Sequence, residues 1–99
     1  MATHIIFFGF TQKGIEKIKE SPARVKDAKQ IVQSLGGKIK DFYGIMGMAG
    51  YDTLFVVEAP NDEVIAKAVL MIAQKGSVRT TTVRAFTEAE YKRVIEELP

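Results

Sequence analysis

The 99-residue chain has no cysteine and no tryptophan, one histidine and only three prolines. Without thiols there can be no disulfide and no cysteine nucleophile, a composition expected of a cytoplasmic protein. One histidine excludes His-rich metal sites, so no metal centre is expected. That residue, His4, stands at a strand end. It reads as a satisfied or surface side chain, with a catalytic role as the sharper alternative. No apolar run is long enough to span a bilayer, and the Met-Ala-Thr-His start lacks the basic region and cleavage site of a secretory signal. Also missing are a P-loop, a dinucleotide fingerprint and a serine elbow, so no cofactor is implied.

Charge is nearly balanced at +2 but unevenly spread. Residues 1–49 hold eight Lys/Arg against four Asp/Glu, and residues 50–99 hold six against eight. Such runs usually mark solvated helix faces; a basic patch for an anionic partner is the alternative.

The organising stretch is Gly50 to Pro60, a β-prone run closed by a proline that cannot donate to a sheet ladder. Alternation puts Asp52, Leu54, Val56 and Glu58 on one face and Tyr51, Thr53, Phe55, Val57 and Ala59 on the other. Both faces are apolar enough to require cover, and one carries two carboxylates. Ile5 to Phe10 is a second interior strand by the same reasoning. Lys38 to Met46 reads as an outer strand with charged edge positions, setting Ile39, Asp41, Tyr43 and Ile45 against Lys38, Lys40, Phe42, Gly44 and Met46. The Gly47-Met48-Ala49-Gly50 hairpin either folds on its own core or contacts a ligand or second chain. Val78 to Phe86 is the fourth strand, with Val78, Thr80, Thr82, Arg84 and Phe86 on one face.

Helices fill the gaps. Thr11 caps a short one over Gln12 to Glu20, and Ser21-Pro22 restarts it towards Gly36-Gly37. Pro60-Asn61-Asp62-Glu63 opens a helix so apolar around its circumference that it implies burial on more than one side, hence oligomerisation. Glu63 and Lys67 are spaced for an i,i+4 pair. Thr87 and Glu90 form a capping box before a last helix with Tyr91, Val94, Ile95 and Leu98 on its buried stripe. The order β-α-β-β-α-β-α is that of an α+β, ferredoxin-like βαββαβ antiparallel sheet with an additional C-terminal helix, in a single domain over residues 1–99.

Gly50-Tyr51-Asp52, Glu58-Ala59-Pro60-Asn61-Asp62-Glu63 and Gly76 to Phe86, with the Gln12-Lys13-Gly14-Ile15 opening and Ser21-Pro22, resemble the GYD-domain family, named for that tripeptide. The resemblance covers essentially the whole chain. It implies a ferredoxin-like subunit similar to those of dimeric α/β barrels, a homodimer or higher homo-oligomer, and supplies no biochemical role of its own.

In such a barrel a shared sheet face could gather Asp52, Glu58, Tyr43, Thr80, Thr82 and Arg84, with Arg84 the partner expected for Glu58. With Tyr51, these are the candidate ligand-binding residues. Three readings follow. The first is a salt-bridged network that fixes register or the dimer. The second is a pocket for a small organic anion. The third is a cofactor-independent enzyme with Asp52 or Glu58 as general base, Tyr43 or Tyr51 as proton or hydrogen-bond donor, and Arg84 holding an anionic substrate. RNA binding through the shared β-α-β-β-α-β order fails in detail, since Asp52 and Thr53 stand where a small neutral residue and a stacking aromatic are required.

Overall fold

Local signals in the chain set the boundaries of the helices. In the computed structural model, which describes residues 1–99, the elements are β1 (Ala2–Phe10), α1 (Gln12–Glu16), a 3-10 turn (Ile18–Glu20), α2 (Ser21–Ser34), β2 (Lys38–Gly44), β3 (Thr53–Ala59), α3 (Asp62–Ala73), β4 (Val78–Ala85) and α4 (Glu88–Glu96). Thr11 caps α1 by accepting from the Gly14 N–H at 3.1 Å, and Asn61 caps α3 by accepting from Val64 at 3.0 Å. Thr87 and Glu90 form the reciprocal capping box of α4. The helical segment expected over Gln12 to Glu20 is broken at Lys17, which leaves helical geometry (φ −116°, ψ 44°). Pro22 occupies the first turn of α2, where its missing N–H costs nothing. The Glu63–Lys67 pair does not form; the one i,i+4 ion pair is Lys92–Glu96, at 3.7 Å.

The strands form one antiparallel sheet in the order β2-β3-β1-β4, the ferredoxin-like arrangement. Helices α2 and α3 cover one face. There, Ile6 and Phe8 of β1 and Phe55, Val57 and Ala59 of β3 meet Ala28 and Val32 of α2 and Ile65, Ala68 and Ile72 of α3. Phe55 anchors this core, with Phe8 and Phe42 edge-on at 4.9 and 5.9 Å between ring centroids. Each such pair adds about 0.5–1.5 kcal/mol beyond area burial.

Side-chain parity in β2 differs from simple alternation. The register jumps between Ile39 and Asp41, so Lys40 is accommodated as an irregularity. Ile39 and Phe42 therefore share the helix-covered side, paired with Val57 and Phe55, while Asp41 and Tyr43 turn to the other side beside Val56 and Leu54.

No helix packs on the opposite sheet face. Its cross-strand rows run Lys38-Glu58-Thr3-Ala85, Asp41-Val56-Ile5-Val83 and Tyr43-Leu54-Phe7-Thr81, apolar at the centre and charged at the β2 edge. Only 13 of the 99 residues are buried, a thin core for this length. α4 makes no substantial contact with any other element. Its stripe is in solvent, with Tyr91, Val94, Ile95 and Leu98 between 45% and 62% exposed, contrary to the burial expected from its pattern. The radius of gyration is 14.6 Å, where a compact chain of this size has about 13 Å. On α3 the inner side is buried, but Leu70 and Met71 are exposed.

Candidate functional site

The pleat distributes the site residues expected from sequence over three places. On the uncovered face lie Tyr43, Glu58 and, against its expected parity, Tyr51. Tyr51 precedes β3, and the ladder is irregular at Asp52, whose N–H donates at 2.8 Å to the carbonyl of Phe8, the residue that Thr53 also faces. This irregularity leaves the Tyr51 ring beside Phe7, 5.8 Å between centroids, with its hydroxyl hydrogen-bonded to Thr81. Arg79 lies over the same ring at 5.7 Å and donates to the carbonyls of Phe10 (3.0 Å) and Gly50. Gly9 permits this approach, since a Cβ there would collide with the Gly50 carbonyl and the Arg79 guanidinium.

Asp52 is a fastener at the sheet end. Its Oδ2 accepts from the Phe10 N–H at 2.9 Å, and its carbonyl accepts from the Ile45 N–H at 2.8 Å. Glu58 lies six residues further along an extended strand, about 20 Å away at ~3.3 Å per residue, so the two carboxylates share no reacting centre. The partner of Glu58 is Lys40, at 3.5 Å, and not Arg84. Arg84 pairs across the ladder with His4, on the other side of the sheet. It donates to the Thr3 carbonyl at 3.1 Å and lies 3.8 Å from Glu90. Thr80 and Thr82, opposite Phe8 and Ile6, also belong to the helix-covered side. The single face expected to gather Asp52, Glu58, Tyr43, Thr80, Thr82 and Arg84 is therefore not formed.

Two further charged features stand out. His4 is buried, its Nε2 3.5 Å from exposed Asp62 and its Nδ1 without a partner. The Glu90 carboxyl is held below its ordinary value of 4.5, chiefly by the Thr87 main-chain N–H that donates to it. The Met46–Ala49 connection does not fold onto the core, since Met46 is 99% exposed.

The concave site of the chain lies between the helices and the sheet and was not expected from sequence. It is a cavity of about 290 Å³. Phe8, Phe42 and Phe55 of the sheet, Ile31 of α2, Ile72 of α3 and Val78 of β4 make its apolar floor and walls. Space remains because the helix wall there is Ala28 and the sheet wall Thr53, both small. Around it stand Lys13, Arg24 and Lys75, with Glu20 and Asp27. Lys13 donates to the Lys75 carbonyl at 2.9 Å, and Arg24 to the carbonyls of Lys17 and Gly14 at 3.2 and 3.0 Å. Thus neutral oxygens position Lys13 and Arg24, and no ion pair involves any of these five charged side chains. Lys13 and Lys75 lie 62 residues apart in sequence. Only the packing of α1 and its cap on the turn between α3 and β4 brings them together, so no local motif could have marked them.

No helix is long and apolar enough to cross a membrane. Among solved structures, the chain is similar to a homoserine dehydrogenase from Thiobacillus denitrificans (TM-score 0.59, 13% identity, covering 84% of this chain and 17% of that one). It is also similar to the Mycobacterium tuberculosis leucine response regulatory protein LrpA (TM-score 0.63, 12% identity, covering 87% and 51%). It thus spans 17% of the dehydrogenase and about half of the regulator, and at such identities the likeness is one of fold. A curated relative, the glutamine synthetase and cystathionine beta-lyase binding protein of Thermus thermophilus, is 33% identical over 91 residues, which are 91% of this chain and 94% of the relative. The GYD domain model matches residues 4–95. With the expected tripeptide at Gly50-Tyr51-Asp52 and the ferredoxin-like sheet in place, the chain belongs to the GYD domain family.

Proposed function

We propose that this protein is a homo-oligomeric binding or assembly module, in which the open sheet face of one chain packs on that of a second copy. The observation that carries this reading is the uncovered row Val56-Ile5-Val83, flanked by Leu54 and Phe7, on a chain with only 13 buried residues. An apolar sheet centre with charge along the β2 edge alone leaves an apolar surface for a second copy under a twofold axis, and two such faces pack about 10 Å apart. The stripe of α4 supports the same reading, because an amphipathic helix without cover on its own chain needs another body to lie on. In the assembled form Tyr43, Tyr51 and Glu58 border the seam between sheets, where they are available to a partner or to a small ligand. The Thermus relative is named for binding two enzymes, which favours another protein as the partner of the assembled module. Asp52 and Glu58, engaged by the Phe10 N–H and by Lys40, serve here as register and edge contacts.

Sedimentation equilibrium of the purified chain tests the self-association. The expected mass at micromolar concentration is a multiple of the 11.0 kDa chain. A single-chain mass overturns the reading.

A further inference from the structure

We infer that the cavity between the helices and the sheet is a binding site for a small organic carboxylate with an apolar body. It lies on the side of the sheet away from the proposed docking face, so it neither requires nor restates that assembly.

Size comes first. About 290 Å³ sits at the lower edge of ligand-pocket volumes, roughly 300–1,000 Å³, and equals about ten water volumes at ~30 Å³ each. The occupant therefore has on the order of ten non-hydrogen atoms. Three aromatic rings of the floor, Phe8, Phe42 and Phe55, favour an apolar, flat body.

Charge selects the head group. Lys13, Arg24 and Lys75 bring three positive charges to the cavity and Glu20 and Asp27 bring two negative ones, an excess of cation. Lys13 and Lys75 are exposed and Arg24 is partly buried, and no carboxylate lies within 4.0 Å of these three. Arg24 is instead pinned by two main-chain carbonyls across the break between α1 and the 3-10 turn. Those bonds use two of its five donors and leave the rest directed by a fixed guanidinium plane. Lys13 likewise spends one donor on the Lys75 carbonyl and keeps two. Oriented but uncompensated donors beside an apolar floor match a carboxylate whose body enters between Ala28 and Thr53. Glu20 and Asp27 add a place for an ammonium group, so an apolar amino acid and a simple apolar acid share the chemistry and differ in that contact alone.

Titration of the full-length protein with 3-phenylpropionate, phenylalanine and phenethylamine, followed by amide NMR shifts, tests the assignment. Both acids are expected to bind with a Kd of ~1 mM or tighter, a modest demand for about ten atoms, and to shift Phe8, Ala28, Phe55 and Val78. Tighter binding of phenylalanine assigns amino acids as the ligand class, and equal binding assigns simple acids. The Lys13→Gln/Lys75→Gln double variant is expected to weaken the acids about tenfold or more, since charge-assisted hydrogen bonds are lost, while the sedimentation mass stays that of the native chain. Ala28→Leu, which fills the cavity, is expected to abolish binding, and carries the test if the double variant does not fold. Absence of saturable shifts with either acid, shifts centred away from the cavity, or equal binding of phenethylamine overturns the inference, whatever the oligomeric mass proves to be.

Discussion

Val56→Glu separates a sheet face covered by a second copy from one that faces water. Val56 stands between Ile5 and Asp41, at the middle of the uncovered rows. In an isolated chain the new carboxylate would remain solvated, and the cost is that of lower β propensity and a like charge beside Asp41, about 1 kcal/mol together. In a twofold interface the carboxylate enters a layer formed by Val56, Ile5 and Val83 of both chains, with no cation in its row. An unpaired buried charge costs about 3–5 kcal/mol; allowing half of that for the open edges of a small interface leaves about 2 kcal/mol per chain. Adding about 1 kcal/mol for the lost apolar contact of valine, and counting the substitution twice by symmetry, gives about 6 kcal/mol. At 1.4 kcal/mol per tenfold this weakens association by about 10⁴. Sedimentation velocity at micromolar concentration reads the result directly: the native chain as a multiple of 11.0 kDa, the variant as a single chain. Circular dichroism should show a folded variant, and Val56→Thr, which keeps the branched shape, should retain the native mass. A Val56→Glu protein that is folded and still assembled refutes the placement of the interface.

Three other substitutions or conditions test the internal geometry. Asp52→Ala leaves the Phe10 N–H without its acceptor and should cost about 1–2 kcal/mol in urea unfolding, whereas Asp52→Asn keeps an oxygen in place and should cost clearly less; equal losses would deny the fastening role. Glycine to alanine inside a helix ordinarily stabilises by about 1 kcal/mol, but a Cβ on Gly14 of α1 would run into the Ser77 carbonyl. Gly14→Ala should therefore destabilise by about 1–3 kcal/mol, and a raised melting temperature would contradict the packing of α1 on the start of β4. Because the Thr87 N–H lowers the Glu90 pKa in the folded chain, the capping box contributes fully above the unfolded carboxyl value and loses its contribution as pH falls through the folded one. Amide protection at the start of α4, taken relative to the intrinsic exchange rate at each pH, should fall over that acidic window in the native chain and not in Glu90→Ala.

Much of the fold was legible because its signals are local. Thr11, Asn61 and Thr87 each announce a helix through a side-chain oxygen three residues before the N–H it accepts from. The apolar runs around Ile6 and Phe55 needed no context to be read as interior strands. Events a residue or two long escaped the pattern. An irregularity at Lys40 returns Phe42 to the core and exposes Tyr43 on the other side. The irregularity at Asp52 moves Tyr51 off the face of Phe55 and onto Phe7. Since side chains alternate with period two, one extra or unpaired residue reverses every assignment beyond it. Neither event leaves a compositional mark. The stripe of α4 was equally legible, but amphipathicity states only that a helix has an apolar side, and on this chain that side stays exposed.

The candidate site was harder to read because sharing a strand face is weaker than sharing a place. Asp52 and Glu58 have the same nominal parity, yet about 20 Å of extended chain separates them, and each has its own partner in the sheet. Arg84 has the right charge for Glu58 but projects through the opposite side of the ladder. The residues that do converge, Lys13, Arg24 and Lys75, come from α1, α2 and the turn after α3, and read in sequence as ordinary solvated positions. What distinguishes them is the identity of their acceptors. A surface lysine bonded to water carries no information, whereas a lysine and an arginine whose bonds all end on main-chain carbonyls, beside a cavity floored by three phenylalanines, have had their charge placed and left unspent. Such an arrangement arises from the packing of three helical segments on one sheet, and it becomes visible only when the residues between positions 13 and 75 have been folded.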